Sequence, residues 1–206
     1  MTYIKGSKSL ITESHTIPAS FTIGFLGAGQ LAKMSAIEAY RLGIQVAAYT
    51  DRSSHEPMHY MSPMVITGSF EDVKAMTEFA QKCDVLTLEN EFIESSVLEQ
   101  VQINSGTPIY PSPEGFAKIE NKIVEKQCFE EAGIPVTPYK QIHDREDLKD
   151  FGNQYGWPFV LKSSKGGYDG YGNATVSDLN EAADIFTKLG GQNGHDILAE
   201  AFIDFS

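Results

Sequence analysis

The sequence predicts an α/β protein in which a doubly wound parallel-sheet domain is followed by a smaller α+β unit. Three observations predict it. Short apolar runs alternate with helix-patterned segments from Phe21 to Tyr110. A glycine turn joins the first run to the first helix. From residue 137 the order changes, and a lysine-bearing strand leads into a glycine-rich loop.

Phe21 to Leu26 is a continuous apolar run, as a buried parallel strand requires. Gly27-Ala28-Gly29 turns the chain. Gln30 to Leu42 has helical spacing, with Leu31, Met34, Ala36 and Ile37 expected on its inner side and Gly43 ending it. Ile44 to Tyr49 is the second strand, with Asp51 just past its end, and Met64 to Ile66 the third. A helix over Phe70 to Cys83, a strand over Val85 to Leu88, a helix over Ser95 to Asn104 and a strand at Ile109-Tyr110 complete the alternation. Pro111-Ser112-Pro113 closes this domain, Ser112 serving as a helix cap with Pro113 in the first turn. Helical residues are expected to run on to about Ala132. Beyond them come a strand at Tyr139 to Ile142, a helix over Asp144 to Tyr155 and a strand from Phe159 to Leu161 that delivers Lys162. A strand at Ala174 to Val176, a helix over Asp178 to Leu189 and a strand at Asp196 to Ala201 finish the chain. The expected divisions are a loose leader at 1–20, a domain at 21–112, a helical linker at 113–136 and the α+β unit at 137–206.

Composition narrows the function. Forty-one per cent hydrophobic residues in a chain of 206 support a real core. The net charge of −12, from 16 basic and 28 acidic residues, argues against a binder of nucleic-acid backbone, which needs a basic face. No apolar run is long enough for a membrane span, and two distant cysteines, Cys83 and Cys128, suit a reducing cytoplasm. His55 and His59 have i,i+4 spacing, but Pro57 lies between them and no carboxylate motif accompanies them, so no metal site is assigned.

Three segments carry chemistry. Lys162 is followed by Gly166, Gly167, Gly170 and Gly172, interleaved with Tyr168, Asp169 and Tyr171 and ending at Asn173. Glycines let amides converge on an anion, and the lysine adds a mobile charge, so this reads as a lid over polyphosphate, ATP foremost. It is not a Walker loop, because no Gly-Lys-Ser/Thr ends it and a strand follows. A plain hairpin turn is the alternative. Gly27 to Ala32 is a GxGxxA sequence between strand and helix. With Asp51 it would also suit NAD, or it is a tight turn that binds nothing. Glu89 and Glu91 follow the fourth strand; if the strand continues they point the same way, toward a cation or hydrogen-bond donors, and otherwise they form a solvated loop.

Taken in order, Gly27-Ala28-Gly29-Gln30-Leu31-Ala32-Lys33-Met34, Thr87-x-Glu89-x-Glu91, Pro111-Ser112-Pro113, Gly133-Ile134-Pro135-Val136 and Lys162 with Gly166-Gly167-Tyr168-Asp169-Gly170 resemble the 5-(carboxyamino)imidazole ribonucleotide synthases, ATP-grasp ligases of purine biosynthesis. The likeness covers about residues 21 to 206, and its Gly-Gly-Tyr-Asp-Gly segment is highly specific. It implies a pre-ATP-grasp domain followed by the incomplete first part, the α+β lid subdomain, of an ATP-grasp domain. The implied substrates are ATP, bicarbonate and 5-aminoimidazole ribonucleotide, and the implied parent is a homodimer. Lys122 and Lys162 would contact ATP phosphates under a lid of Gly167, Tyr168, Asp169, Gly170, Tyr171, Gly172 and Asn173. Glu200, Ala201, Phe202 and Ile203 would form the adenine hinge. Tyr168 and Glu91 would lie near bicarbonate and the substrate amine, and Gly27, Gly29, Gln30, Leu31, Asp51 and Glu89 would serve the ribonucleotide, which displaces NAD.

The pattern also departs from the family. Tyr171 stands where Arg or Lys is usual, so Lys165 is a candidate to supply the missing charge. Lys122 replaces a common arginine and loses its bidentate fork. Ala32 replaces a frequent glycine. The resemblance places the Mg²⁺ ligands beyond residue 206, so these 206 residues alone are expected not to turn over. Another ATP-grasp ligase, such as a formate-dependent glycinamide ribonucleotide transformylase, and a non-catalytic nucleotide-binding module are the competing readings.

Overall fold

The computed structural model describes residues 20–52, 55–89, 91–166 and 172–204. Contacts divide the chain into two compact units, residues 1–89 with 101–110, and residues 90–100 with 111–206. The segment 113–136, expected as a linker, groups with the second unit.

The first unit is built on β1 (Thr22–Leu26), β2 (Gln45–Thr50), β3 (Val65–Thr67), β4 (Val85–Leu88) and β5 (Ile109–Tyr110). All pairs are parallel, in the order β3-β2-β1-β4-β5. Helices α1 (Gln30–Arg41), α2 (Val73–Ala80) and α3 (Ser95–Ser105) lie between strands in the chain. The inner side of α1 agrees with the expectation at Ala36 and differs from it elsewhere. Ala32, Ala36 and Ala39 are buried against Phe25, Val46, Ala48 and Met58, whereas Leu31, Met34 and Ile37 are exposed. Small side chains let the helix lie close to the sheet, so side-chain size misidentified the buried stripe. On β1, Gly24 serves close packing too: a Cβ there would stand 2.5 Å from Leu86 Cδ2 and 2.7 Å from Cys83 Sγ. The helix expected over Phe70 to Cys83 is shorter at both ends; its start is set by the Asp72 side chain, which caps it by accepting from the Ala75 N–H at 3.0 Å. His55 has φ +71° and His59 sits in a 3-10 turn over Pro57–Tyr60, so the pair shares no α-helical face.

The second unit opens with α4 (Pro113–Ala117) and α5 (Lys122–Glu131). The single helix expected to Ala132 is therefore two. Ser112 caps the first, and the Asn121 side chain caps the second by accepting from the Ile123 N–H at 2.9 Å. β6 (Tyr139–Ile142), α6 (Arg145–Tyr155), β7 (Phe159–Ser163), β8 (Asn173–Val176), α7 (Leu179–Lys188) and β9 (Ile197–Ala201) follow. The strands form an antiparallel sheet in the order β6-β9-β7-β8. Alternation divides the labour of β7 and β9. Phe159, Leu161, Ile197 and Ala199 join Leu148, Phe151 and Phe186 of α6 and α7 in one core. Phe151 and Phe159 meet edge to face with centroids 5.1 Å apart, each fully buried ring contributing about 1.5–3 kcal/mol. Asp178 caps α7, its Oδ1 accepting from the Glu181 N–H at 3.0 Å, and Glu181 Oε2 accepts from the N–H of the preceding Ser177 at 2.8 Å. The residues between those core positions, Val160, Lys162, Leu198 and Glu200, project from the other face.

Candidate functional site

In the first unit the glycine turn and the end of β4 form one arrangement. Glu89 follows β4, its N–H bonded to Leu26 O at 3.0 Å, so its side chain stands beside the turn after β1. Its carboxylate accepts from the N–H groups of Gly29 at 2.7 Å, Leu31 at 3.2 Å and Ala32 at 3.4 Å. A negative group at a helix N-terminus is stabilised by those donors and by the helix dipole. The glycines make room for it. A Cβ on Gly27 would lie 2.4 Å from Glu89 Oε2, and one on Gly29 would lie 2.5 Å from Oε1. Gly27 also has φ +118°, which side chains rarely adopt. Glu89 is thus an internal anion that takes up the amides of the turn. Gln30, Leu31 and Asp51 are exposed. Glu91 is exposed as well, and because β4 ends at Leu88 the same-side alternation expected of Glu89 and Glu91 does not apply.

In the second unit, lysines converge on a carboxylate. Strand pairing sets Glu200 opposite both Tyr139 and Val160, and Lys162 opposite Leu198, so these side chains share one sheet face. On α5, Lys122 and Lys126 have i,i+4 spacing and lie on one helix face. The Lys122 N–H donates to Ser164 O at 2.9 Å, which ties the start of α5 to the end of β7. Between helix and strands lies a groove of about 290 Å³ lined by Lys122, Glu125, Lys126, Phe129, Lys162, Leu198 and Glu200. Glu200 Oε1 accepts from Lys126 Nζ at 2.8 Å and Oε2 from Lys162 Nζ at 2.5 Å. Burial raises the Glu200 carboxyl, but the hydrogen bonds and charges of Lys126 and Lys162 outweigh it and hold the group below its ordinary 4.5. Lys122 has no ion-pair partner among the described residues. The groove therefore offers an unpaired ammonium beside two that share one acceptor, and it can take an anion with several oxygens.

The sign of the Glu200 shift gives a prediction. Its folded value is depressed, so its stabilising contribution is present above the unfolded value and is lost as pH falls through the folded one. The advantage of wild type over Glu200→Gln in urea denaturation is therefore expected to be greatest near neutrality and to shrink below about pH 4.5. A difference that does not change with pH would contradict the pairing.

The glycine-rich loop spans the β7–β8 hairpin. Ser163 N–H donates to Gly172 O at 2.7 Å, and Lys162 stands opposite Asn173. Gly166 and Gly172 take φ of +71° and +82° at its two sides. Gly167, Tyr168, Asp169, Gly170 and Tyr171 lie outside the described residues. β9 ends with Glu200 and Ala201, and Phe202 and Ile203 follow it half-exposed. Lys165 is committed elsewhere. Its ammonium lies 2.9 Å from Glu94 and 3.2 Å from Glu120, the Glu94 hydrogen bond chiefly raising its pKa. Glu120 also accepts from the Ser95 N–H and hydroxyl, so the cluster fastens the start of α3 to the α4–α5 turn. Among the described residues no group of three or more His, Cys, Asp or Glu could hold a metal ion, so the Mg²⁺ implied by the resemblance has no ligand set there. No helix among them is long and apolar enough to cross a membrane. Sequence reasoning missed Lys126, although its i,i+4 spacing from Lys122 behind the cap Asn121 was a usable signal.

The chain matches the ribonucleotide synthetase pre-ATP-grasp domain over residues 20–120 and the ATP-grasp domain over residues 127–206. It is 32% identical to the N5-carboxyaminoimidazole ribonucleotide synthase of Staphylococcus haemolyticus, across 90% of this chain and 48% of that protein. The chain belongs to this family of ATP-grasp proteins. A phosphoribosylaminoimidazole carboxylase of Ogataea methanolica is 38% identical, across 91% of this chain and 34% of that protein. The N5-carboxyaminoimidazole synthase of Aspergillus clavatus, solved with ADP and 5-aminoimidazole ribonucleotide, superposes with a TM-score of 0.75 and 30% identity, across 91% of this chain and 48% of that one. The chain thus spans a third to a half of the length of these family members. A glycinamide transformylase from Mycobacterium tuberculosis matches with a TM-score of 0.67, and at 14% identity this is a likeness of fold alone.

Proposed function

We propose that this chain is the nucleotide-gripping N-terminal part of an ATP-dependent ligase that carboxylates 5-aminoimidazole ribonucleotide. In the proposed reaction a bicarbonate oxygen attacks the γ-phosphorus of ATP, and ADP leaves. The carboxyphosphate formed then passes its carboxyl group to the exocyclic amine of the ribonucleotide, releasing phosphate and a proton. The chain's part is positioning and charge neutralisation. Lys122 and Lys162 would neutralise phosphate oxygens, and the hairpin carrying Gly166 and Gly172 would cover them. Glu200 and the chain at 201–203 would receive the adenosine. Tyr168 and Glu91 would stand near bicarbonate and the amine, and the residues about Gly27, Gly29, Gln30, Leu31, Asp51 and Glu89 would serve the ribonucleotide. Because Glu89 fills the turn amides, a substrate phosphate at that turn must compete with it.

The observation that carries the reading is the convergence of Lys122, Lys126 and Lys162 on one groove at the base of a glycine-rich hairpin. The crystallised Aspergillus relative with ADP and the ribonucleotide supports it by family membership. A cytoplasmic enzyme working as a homodimer is part of the proposal, in keeping with two free cysteines. The test is phosphate release from ATP by the longest gene product that carries this sequence. Release is expected only when bicarbonate and 5-aminoimidazole ribonucleotide are both present. Release that ignores either one would refute the assignment.

A further inference from the structure

Glu200 divides its two oxygens between two ammonium groups, and the division has a consequence for nucleotide binding. Its side chain is only 13% exposed, and that of Lys126 only 14%. Lys162 is more open, at 30%, and lies beside the hairpin. If Lys162 turns to a phosphate, Glu200 loses one of its two cations. A buried carboxylate left with none is costly, and the remaining partner decides whether the exchange is favourable. We infer that Lys126 is a positioning residue of the groove: it stays on Glu200 Oε1 and so lets Lys162 leave Oε2 for the nucleotide phosphates. The inference rests on the reading of this groove as the ATP site.

The surroundings of Lys126 suit a fixed post. Its ammonium lies 5.4 Å from the centre of the Tyr139 ring, in cation–π range. The Tyr139 hydroxyl donates to Glu130 Oε2 at 2.8 Å, which holds the ring in place. Burial, helped by Glu130, pushes Tyr139 up to about 12, so the phenol stays protonated and keeps donating. Tyr139 is also the strand partner of Glu200, so the ring against which Lys126 rests and the carboxylate it holds are fixed by one β-pair. Lys162 has no such second anchor among its described contacts. Of the two cations on Glu200, Lys162 is the one free to move.

The experiment is a double-mutant cycle read by calorimetric titration of ATP into the longest gene product that carries this sequence, without bicarbonate. Lys126→Met is expected to weaken ATP about tenfold, because Glu200 then holds Lys162 as its sole cation. Glu200→Gln removes the charge that would be stranded. Its effect on affinity is expected to be more favourable in the Lys126→Met background than in wild type, where Glu200 also receives the adenosine, and this coupling separates positioning from a simple loss of positive charge. Lys126→Arg, which keeps a cation on Glu200, is expected to recover most of the affinity that Lys126→Met loses. Should Lys126→Met unfold, Lys126→Gln carries the same cycle. Additive effects of Lys126 and Glu200, with Lys162→Met still weakening ATP, would overturn the inference and leave the site standing. A wild-type chain that does not bind ATP, or one indifferent to Lys162→Met, would overturn the site and the inference with it.

Discussion

Lys162→Met is expected to weaken ATP binding by tenfold to hundredfold, the loss of one charge-assisted hydrogen bond of about 1.5–3 kcal/mol. The side chain leaves β7 on the face away from the α6–α7 core, so the change touches no core contact. Methionine keeps most of the stem and removes only the ammonium. Glu200 retains Lys126 at 2.8 Å, so the carboxylate is not stranded and the fold is expected to survive. The measurement is a titration calorimetry Kd, with circular dichroism to establish folding. Unchanged affinity in a folded variant would remove Lys162 from the site.

Gly27→Ala is expected to cost about 3 kcal/mol of stability or more, through two penalties that add. One is conformational, from φ of +118°. The other is steric, because the new Cβ would meet Glu89 Oε2 at 2.4 Å and Glu89 Cβ at 2.6 Å. Gly43→Ala separates them. Gly43 has φ +75°, and a Cβ there would meet nothing within 4 Å, so it carries conformational strain alone, about 1 kcal/mol. Urea denaturation of the two variants should therefore differ by about 2 kcal/mol. Equal costs would show that Glu89 does not press against the turn.

The parallel sheet was legible because its strands are buried on both faces and read as apolar runs, Phe21 to Leu26 above all. The groove was partly legible for a related reason. Alternation along β7 and β9 sends Lys162 and Glu200 to the face opposite Phe159 and Ala199, and a lysine before a glycine-rich loop already pointed to an anion. The inner face of α1 was read correctly only at Ala36, because the large apolar residues Leu31, Met34 and Ile37 were favoured over Ala32 and Ala39, which the close approach to Phe25 and Ala48 requires. The break before α5 was missed because Asn121 reads as an ordinary helical residue until its side chain is seen accepting from Ile123. Partner choice was the least legible. Glu89 reaches the turn amides across 60 residues of sequence, and Lys126 reaches Glu200 across 74. Spacing along the chain cannot announce either pairing, since each exists only once the sheets are formed.

The most direct test of the nucleotide site is the response of backbone amides to ATP, followed by NMR on the isotopically labelled longest gene product that carries this sequence. The account predicts that resonances from residues 162–173 and 200–203 shift together and saturate with one affinity, while those of 27–31, whose turn amides are held by Glu89, stay in place. Shifts confined to 27–31, or none at all, would contradict it.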